Sequence, residues 1–425
     1  MPRCAQLLST SVLLFAPLLA LGQPVRPGTL PPSKPGVPPM NPAMNPGGVN
    51  PGGAFPGPAP NAPTMPAGPP STVGGHDYDF WVRKLNPETN RDAAVRELAI
   101  HMIPQFGKEK LQKAMPHIIK RLLDGDPAVK FNAMMLICHS GIDDLKERDL
   151  ALRYLFNPET GMIMSSNEML RLAAVNGAAH IGPPAYMAIP ALIGQAHLTN
   201  PNSYEARKAA AAALGQIAYN VPQPGAAPGS PPTVGPDKRA ITALIERLAD
   251  PCLAVRIEVA HSLMLLGRPT DEKDVVAERN MLMGRIGKDG RTGLEPDKSL
   301  KLWLRVALIR LGDNPPTEKD LDPICESLRS TDQFERINAA QALGVMGKVA
   351  KAKAGALRAG LEVKSSTKVE DFDFLYMCLW SMGMMGTDAQ IFQQDIKELI
   401  TTHPDPAVKK MAAETLAKVR GLAAP

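Results

Sequence analysis

The groupings that usually carry chemistry are missing from this chain. Among its 425 residues there is no Gly-x-Ser-x-Gly, no His-Glu-x-x-His, no Cys-x-x-Cys and no G-x-x-x-x-G-K-[ST] spacing. That excludes the common signatures of serine hydrolases, zincins, haem or paired-cysteine zinc sites and phosphate loops. Cysteine is scarce. Cys138, Cys252, Cys325 and Cys378 lie at least 53 residues apart, and a disulfide needs Cα atoms within about 7 Å, so free buried thiols are expected. A surplus of one charge is missing too. The formal net charge is +5, but Arg3, Arg26 and Lys34 all precede the first acidic residue, Asp77, which leaves +2 for the remainder. Nucleic-acid binders concentrate Lys and Arg on one face, so a nucleic-acid partner is not expected. No stretch beyond the N-terminus approaches 18 apolar residues, so no transmembrane helix is expected in the mature chain.

What the chain has is repetition. A basic residue recurs at Arg96, Lys130, Arg171, Arg207, Arg256, Lys301, Arg336 and Lys409, with Leu375 standing in once, at intervals of 34 to 49 residues. Taking it as offset zero, offset −4 holds Asp92, Asp126, Asn167, Ser203, Cys252, Asp297, Asp332, Asp371 and Asp405. All but Cys252 are good helix N-caps. Offset +11 holds Gly107, Gly141, Gly182, Gly267, Gly312, Gly347 and Gly386 in seven copies, the residue a left-handed C-cap favours. Between cap and glycine, apolar residues fall at −1, +3, +7 and +10, as in Ala206, Ala210, Leu214 and Ile217. This is one face of a 3.6-residue helix. A second apolar helix precedes most copies, at Met115–Leu123, Ile189–Ile193, Ile241–Leu248 and Ile391–Ile400. A lone hairpin of two such helices cannot bury its stripes, so neighbours must stack.

Asp126-Pro127-Ala128-Val129-Lys130, Asp405-Pro406-Ala407-Val408-Lys409 and the run Ala339 to Gly347 resemble the second-helix motif of HEAT repeats. The resemblance covers about residues 77 to 420 and implies an all-α fold, an α-α superhelix of about nine hairpins, with the second helices lining a concave, partner-binding side. The copies at Cys252 and Leu375 depart from the pattern. The basic column is expected to form an internal ladder with the caps of adjacent repeats.

Residues 1–22 read as a secretory signal peptide, with Arg3, an apolar stretch from Val12 to Leu21, and Ala20-Leu21-Gly22 ahead of Gln23. Export to a periplasmic, cell-envelope or extracellular location follows as an expectation. Residues 23–76 read as a disordered linker, since positions 24–75 hold 17 Pro and 10 Gly. The solenoid is expected over 77–425, with loop insertions at 221–237 and 284–298.

Offsets +5 and +9 lie off the buried stripe. They hold His101, Met135, His139, His180, Gln216, His261, Arg310, Trp380 and Met384, a ridge suited to an extended peptide with Trp380 as an anchor. No catalytic residue, metal ligand set or cofactor is expected. Methionines such as Met346 and Met385 read as core filler rather than copper ligands, and Glu370 to Asp373 as an acidic helix start rather than a calcium site. The sequence thus points to an exported, non-enzymatic protein-interaction scaffold. The alternative is an accessory module of an enzyme or cofactor-attachment system, lyase-like or chaperone-like, as other proteins of this repeat type are. Oligomeric state is open.

Overall fold

A computed structural model describes residues 69–197, 203–222, 234–287, 293–312, 316–364, 366 and 368–422. The chain divides after Gly68, and the expected signal segment and most of the Pro/Gly-rich stretch lie outside the described residues. The described part is helical in the order α1 (Tyr78–Lys84), α2 (Ala93–Met102), α3 (Lys108–Lys120), α4 (Pro127–Ser140), α5 (Leu145–Phe156), α6 (Glu168–Ile181), α7 (Ile189–Ala196), α8 (Tyr204–Ile217) and α9 (Lys238–Arg247). It continues through α10 (Leu253–Leu266), α11 (Glu272–Ile286), α12 (Lys298–Arg310), α13 (Glu318–Ser327), α14 (Gln333–Met346), α15 (Arg358–Glu362), α16 (Val369–Met385), α17 (Gln393–Thr402) and α18 (Pro406–Val419). The nine basic-register copies are the nine even-numbered helices. Each even helix packs on the even helix before and after it, and the substantial contacts join hairpins adjacent in sequence. The chain is therefore an α-solenoid of HEAT-like helical hairpins.

Local chemistry explains the helix ends. The side chains of Asp92, Asp126, Asn167, Ser203, Asp297, Asp332 and Asp405 each accept a hydrogen bond from first-turn amides, a contact whose loss typically costs about 1 kcal/mol. Pro127 and Pro406 occupy the first helical position, where a missing N–H does no harm. Asp371 does not cap. α16 starts three residues earlier, after Lys368, and Asp371 instead accepts from Ser366 Oγ at 2.5 Å. Cys252 makes no side-chain cap bond. Six of the seven expected glycines adopt positive φ. Gly312 does not, because α12 already ends at Arg310 with Leu311 in helical conformation.

The stripe positions form the core: Ala210, Leu214, Ile217, Ala339, Leu343, Ala412 and Val419 are fully buried. Close approach of even helices depends on paired sizes at offsets +8 and +6. A Cβ on Gly215 would meet Ser262 Cα at 2.7 Å, one on Gly344 would meet Ser381 Oγ at 2.6 Å, and one on Gly177 would meet Cys138 Sγ at 2.6 Å. The hydroxyls in these seams donate to the carbonyls of the preceding helix: Ser262 to Ala211 (2.8 Å), Ser381 to Ala340 (2.7 Å) and Thr415 to Leu379 (2.9 Å). No buried hydroxyl there goes without an acceptor, which removes the desolvation cost of placing it in a core.

The first repeat carries a structured lead-in. Strands β1 (Thr72–Val73) and β2 (His76–Asp77) pair antiparallel across Gly74-Gly75, both at positive φ, the geometry of a two-residue type I′ hairpin. Trp81 Nε1 donates to Val73 O at 2.9 Å, and His76 stacks on Phe80 with ring centres 3.8 Å apart. Residues 69–76, expected in the linker, are thus tied to α1. Of the expected insertions, 221–237 pairs its ends as β3 (Val221–Pro222) and β4 (Val234–Gly235), and the residues between lie outside the described set. α11 continues to Ile286, three residues into the segment expected to be a loop. Among the described residues no helix is long and apolar enough to cross a membrane. All four described cysteines are free, but only Cys138 and Cys378 are buried; Cys252 and Cys325 are half-exposed.

Candidate functional site

The basic column forms a ladder, two residues away from where it was expected. Arg96 grips Asp124 through Nε (2.9 Å) and Nη2 (2.8 Å). Arg207 does the same with Asp250, and Arg256 with Glu295. These acids stand at offset −6 of the next repeat, and the −4 caps are occupied with their own helices. Each −6 acid also accepts the backbone N–H of the cap residue: Asp124 from Asp126, Asp250 from Cys252, Glu295 from Asp297. One carboxylate therefore ties a helix start to the preceding repeat. Where the basic residue is Lys130 or Lys301, the next −6 position is a serine, Ser165 or Ser330, which accepts the cap N–H through its hydroxyl. Arg336 reaches Asp371 at 3.5 Å and lies over the Phe374 ring. Leu375 is fully buried, and His403 Nδ1 takes over as acceptor for Asp405 N–H. Arg96, Arg207, Arg256 and Arg336 of the column thus serve the repeat junctions.

The open ridge is built from the side chains that the stripe and ladder leave over. His101, His139, His180 and Arg310 are exposed, while Met135, Gln216, Trp380 and Met384 are half-buried. The structure brings His139 and His180 together across α4 and α6, ring centres 4.6 Å apart. His139 Nδ1 lies 2.7 Å from Met135 O. Shelter by the helix pair, and next the neighbouring His139, hold the His180 pKa below the usual histidine value. Arg310 donates to Val345 O at 3.3 Å. Trp380 lies over Gly344, where any side chain would strike its ring. His261 is not on the open surface: only 6% exposed, it stands edge-on to Trp303 with ring centres 4.0 Å apart.

Two chemically loaded residues were not signalled by the repeat pattern. Glu258, one turn before His261, is buried with Oε1 lacking a hydrogen-bond partner. Burial lifts its carboxyl to about 7 against the pull of Lys208, and burial with Lys208 lowers His261 to about 3. Trp303 in turn donates from Nε1 to Asn338 Oδ1 at 3.1 Å. Both residues occupy offset +2, which is polar or large in seven of the nine copies and alanine at 173 and 209, so register could have marked them as facing the next helix. Among the described residues no group of three His, Cys, Asp or Glu is arranged to hold a metal ion.

No protein-family model matches the chain, and the comparison with curated proteins gives no match. Among solved structures, an engineered protein aligns at 18% identity over 82% of this chain and 89% of its own, with a TM-score of 0.40. A designed armadillo repeat protein aligns at 17% identity over 56% of this chain and all of its own, TM-score 0.39. Kap95p, from its complex with RanGDP, aligns at 12% identity over 81% of this chain and 53% of its own, TM-score 0.37. These likenesses carry no conclusion about a partner or an activity; the solenoid assignment rests on the chain's own helix packing.

Proposed function

We propose that this protein is an exported, non-enzymatic scaffold that presents the open ridge of its even-numbered helices to an extended segment of another protein. One observation carries the reading. Gln105, His139, His180 and Gln216 occupy the same offset, +9, on four successive repeats, and all four are hydrogen-bonding side chains exposed or half-exposed at the surface. Packed helices lie about 8–10 Å apart and an extended chain advances about 3.3 Å per residue. One ridge side chain therefore falls opposite roughly every third peptide unit, a spacing suited to main-chain recognition. Trp380 and Met384, further along the same ridge, offer an apolar anchor.

The test uses photocrosslinking in the full chain. A photoreactive residue at position 180, 216 or 380 is expected to link to one common protein, and one at exposed Lys397 of α17 to give no such product. Equal yield at 397, or no common product from the ridge, would refute the reading. Export is tested separately: the mature chain should begin at Gln23 by intact mass, and an unprocessed chain confined to the cytoplasm would refute that part.

A further inference from the structure

We infer that His139 and His180 together form a binding site for an imidazole-seeking divalent transition metal ion, of which Cu2+ is the tightest-binding member. The inference rests on geometry and is independent of the ridge's role toward a protein partner. The two rings face each other across α4 and α6 because these helices approach closely. The side chain of Cys138 fills the space over Gly177, where even a methyl group would stand 2.6 Å from the sulfur. The thiol is thereby turned into the buried seam, away from the exposed imidazoles.

The imidazoles above that seam have the features of ligands. His139 Nδ1 is 2.7 Å from Met135 O. A carbonyl can only accept, so Nδ1 carries the proton and Nε2 is left with its lone pair, the arrangement that orients most metal-binding histidines. Among the described residues neither ring takes part in an ion pair with a carboxylate, so no acid competes for the lone pairs. The rings' separation of 4.6 Å, with the ring planes tilted by 33°, puts a nitrogen of each ring within reach of one ion after rotation about the side-chain torsions, and among divalent ions that favour imidazole Cu2+ binds tightest. No third His, Cys, Asp or Glu completes the set among the described residues, so the remaining positions fall to solvent.

The experiment titrates Cu2+ alone into the full chain, followed by visible absorption and by the nitrogen hyperfine pattern in electron paramagnetic resonance. One ion per chain with two equivalent nitrogens is expected above the background set by the double variant His139→Gln/His180→Gln. Each single variant should weaken binding at least tenfold, and His101→Gln should leave it unchanged. Both residues are exposed, so the metal-free thermal midpoints should stay within a few degrees, and a variant that shifts more is replaced by the corresponding His→Asn. Wild-type affinity no tighter than that of the double variant, or affinity retained in His180→Gln, would overturn the assignment.

Discussion

Asp124 and Glu278 are both nearly inaccessible, at 5% and 1% exposure, yet burial leads to opposite outcomes for their protons. Asp124 sits in the turn before α4 with Arg96 and Arg121 against it. Burial alone would raise its pKa, but the hydrogen bonds from Arg96 and the Asp126 amide and the charges of both arginines outweigh burial and hold it below the usual aspartate value. Glu278, in the middle of α11, has Oε2 without a partner, and burial lifts its carboxyl to about 8. The difference teaches where this solenoid places its electrostatics. Charge is buried at the junction between repeats because the next helix start supplies amides and the previous helix supplies a guanidinium. In mid-helix, at Glu278 of α11 and Glu258 of α10, neither is present, and burial lifts the carboxyl well above its usual value.

Removing one side of that comparison gives the largest effect. Asp124→Ala leaves two guanidiniums facing a void and frees the Asp126 amide, and loss of a buried charge partner typically costs about 3–5 kcal/mol. Chemical denaturation should show this as a lowered midpoint, and a change under about 1 kcal/mol would remove the ladder from the list of stabilising features. The lowered Asp124 pKa gives the sign with pH. Its contribution is complete above the unfolded aspartate value near 3.8 and is lost as pH falls through the folded value.

The other side of the comparison gives a smaller effect of opposite sign. Because the folded Glu278 pKa is raised from 4.5 to about 8, the folded state holds a proton the unfolded state has released, and stability falls as pH rises from about 4.5 through 8. Glu278→Gln removes that penalty while keeping a buried amide that still lacks partners, so a net gain of about 2 kcal/mol is expected at pH 9 and almost none at pH 4. Thermal melts of the pair across that range check it. A gain independent of pH would show that the carboxyl is not the titrating group.

What could be read in advance divides by sequence range. Asp332 as a cap and Leu343 as core were legible because each depends on residues within its own helix. The partner of Arg207 was not, since Asp250 lies 43 residues away in a turn whose length varies. The residue that accepts the cap N–H also changes, from Asp124, Asp250 and Glu295 facing arginines, to Ser165 and Ser330 where the basic residue is lysine, to His403 where it is Leu375. The repeat thus keeps a relation between two positions rather than a residue at either one. Asp371 was misplaced because α16 begins early, and then it serves the ladder from inside the helix. Among the ridge residues, Trp380 is half-buried, and His139 and His180 stand exposed as their offsets indicated. His261 does not, because Trp303 of the following repeat covers it, a neighbour that periodicity within one helix cannot reveal.

The central claim is that an offset-zero arginine and the −6 acid of the next repeat lock the junctions Arg96–Asp124, Arg207–Asp250 and Arg256–Glu295. The most direct test is a double-mutant cycle on Arg207 and Asp250, with Arg207 and Glu295 as the control pair one repeat further on. The account gives a coupling energy of about 2 kcal/mol or more for the first and less than about 0.5 kcal/mol for the second. Equal coupling for the two pairs, or none for the first, would contradict it.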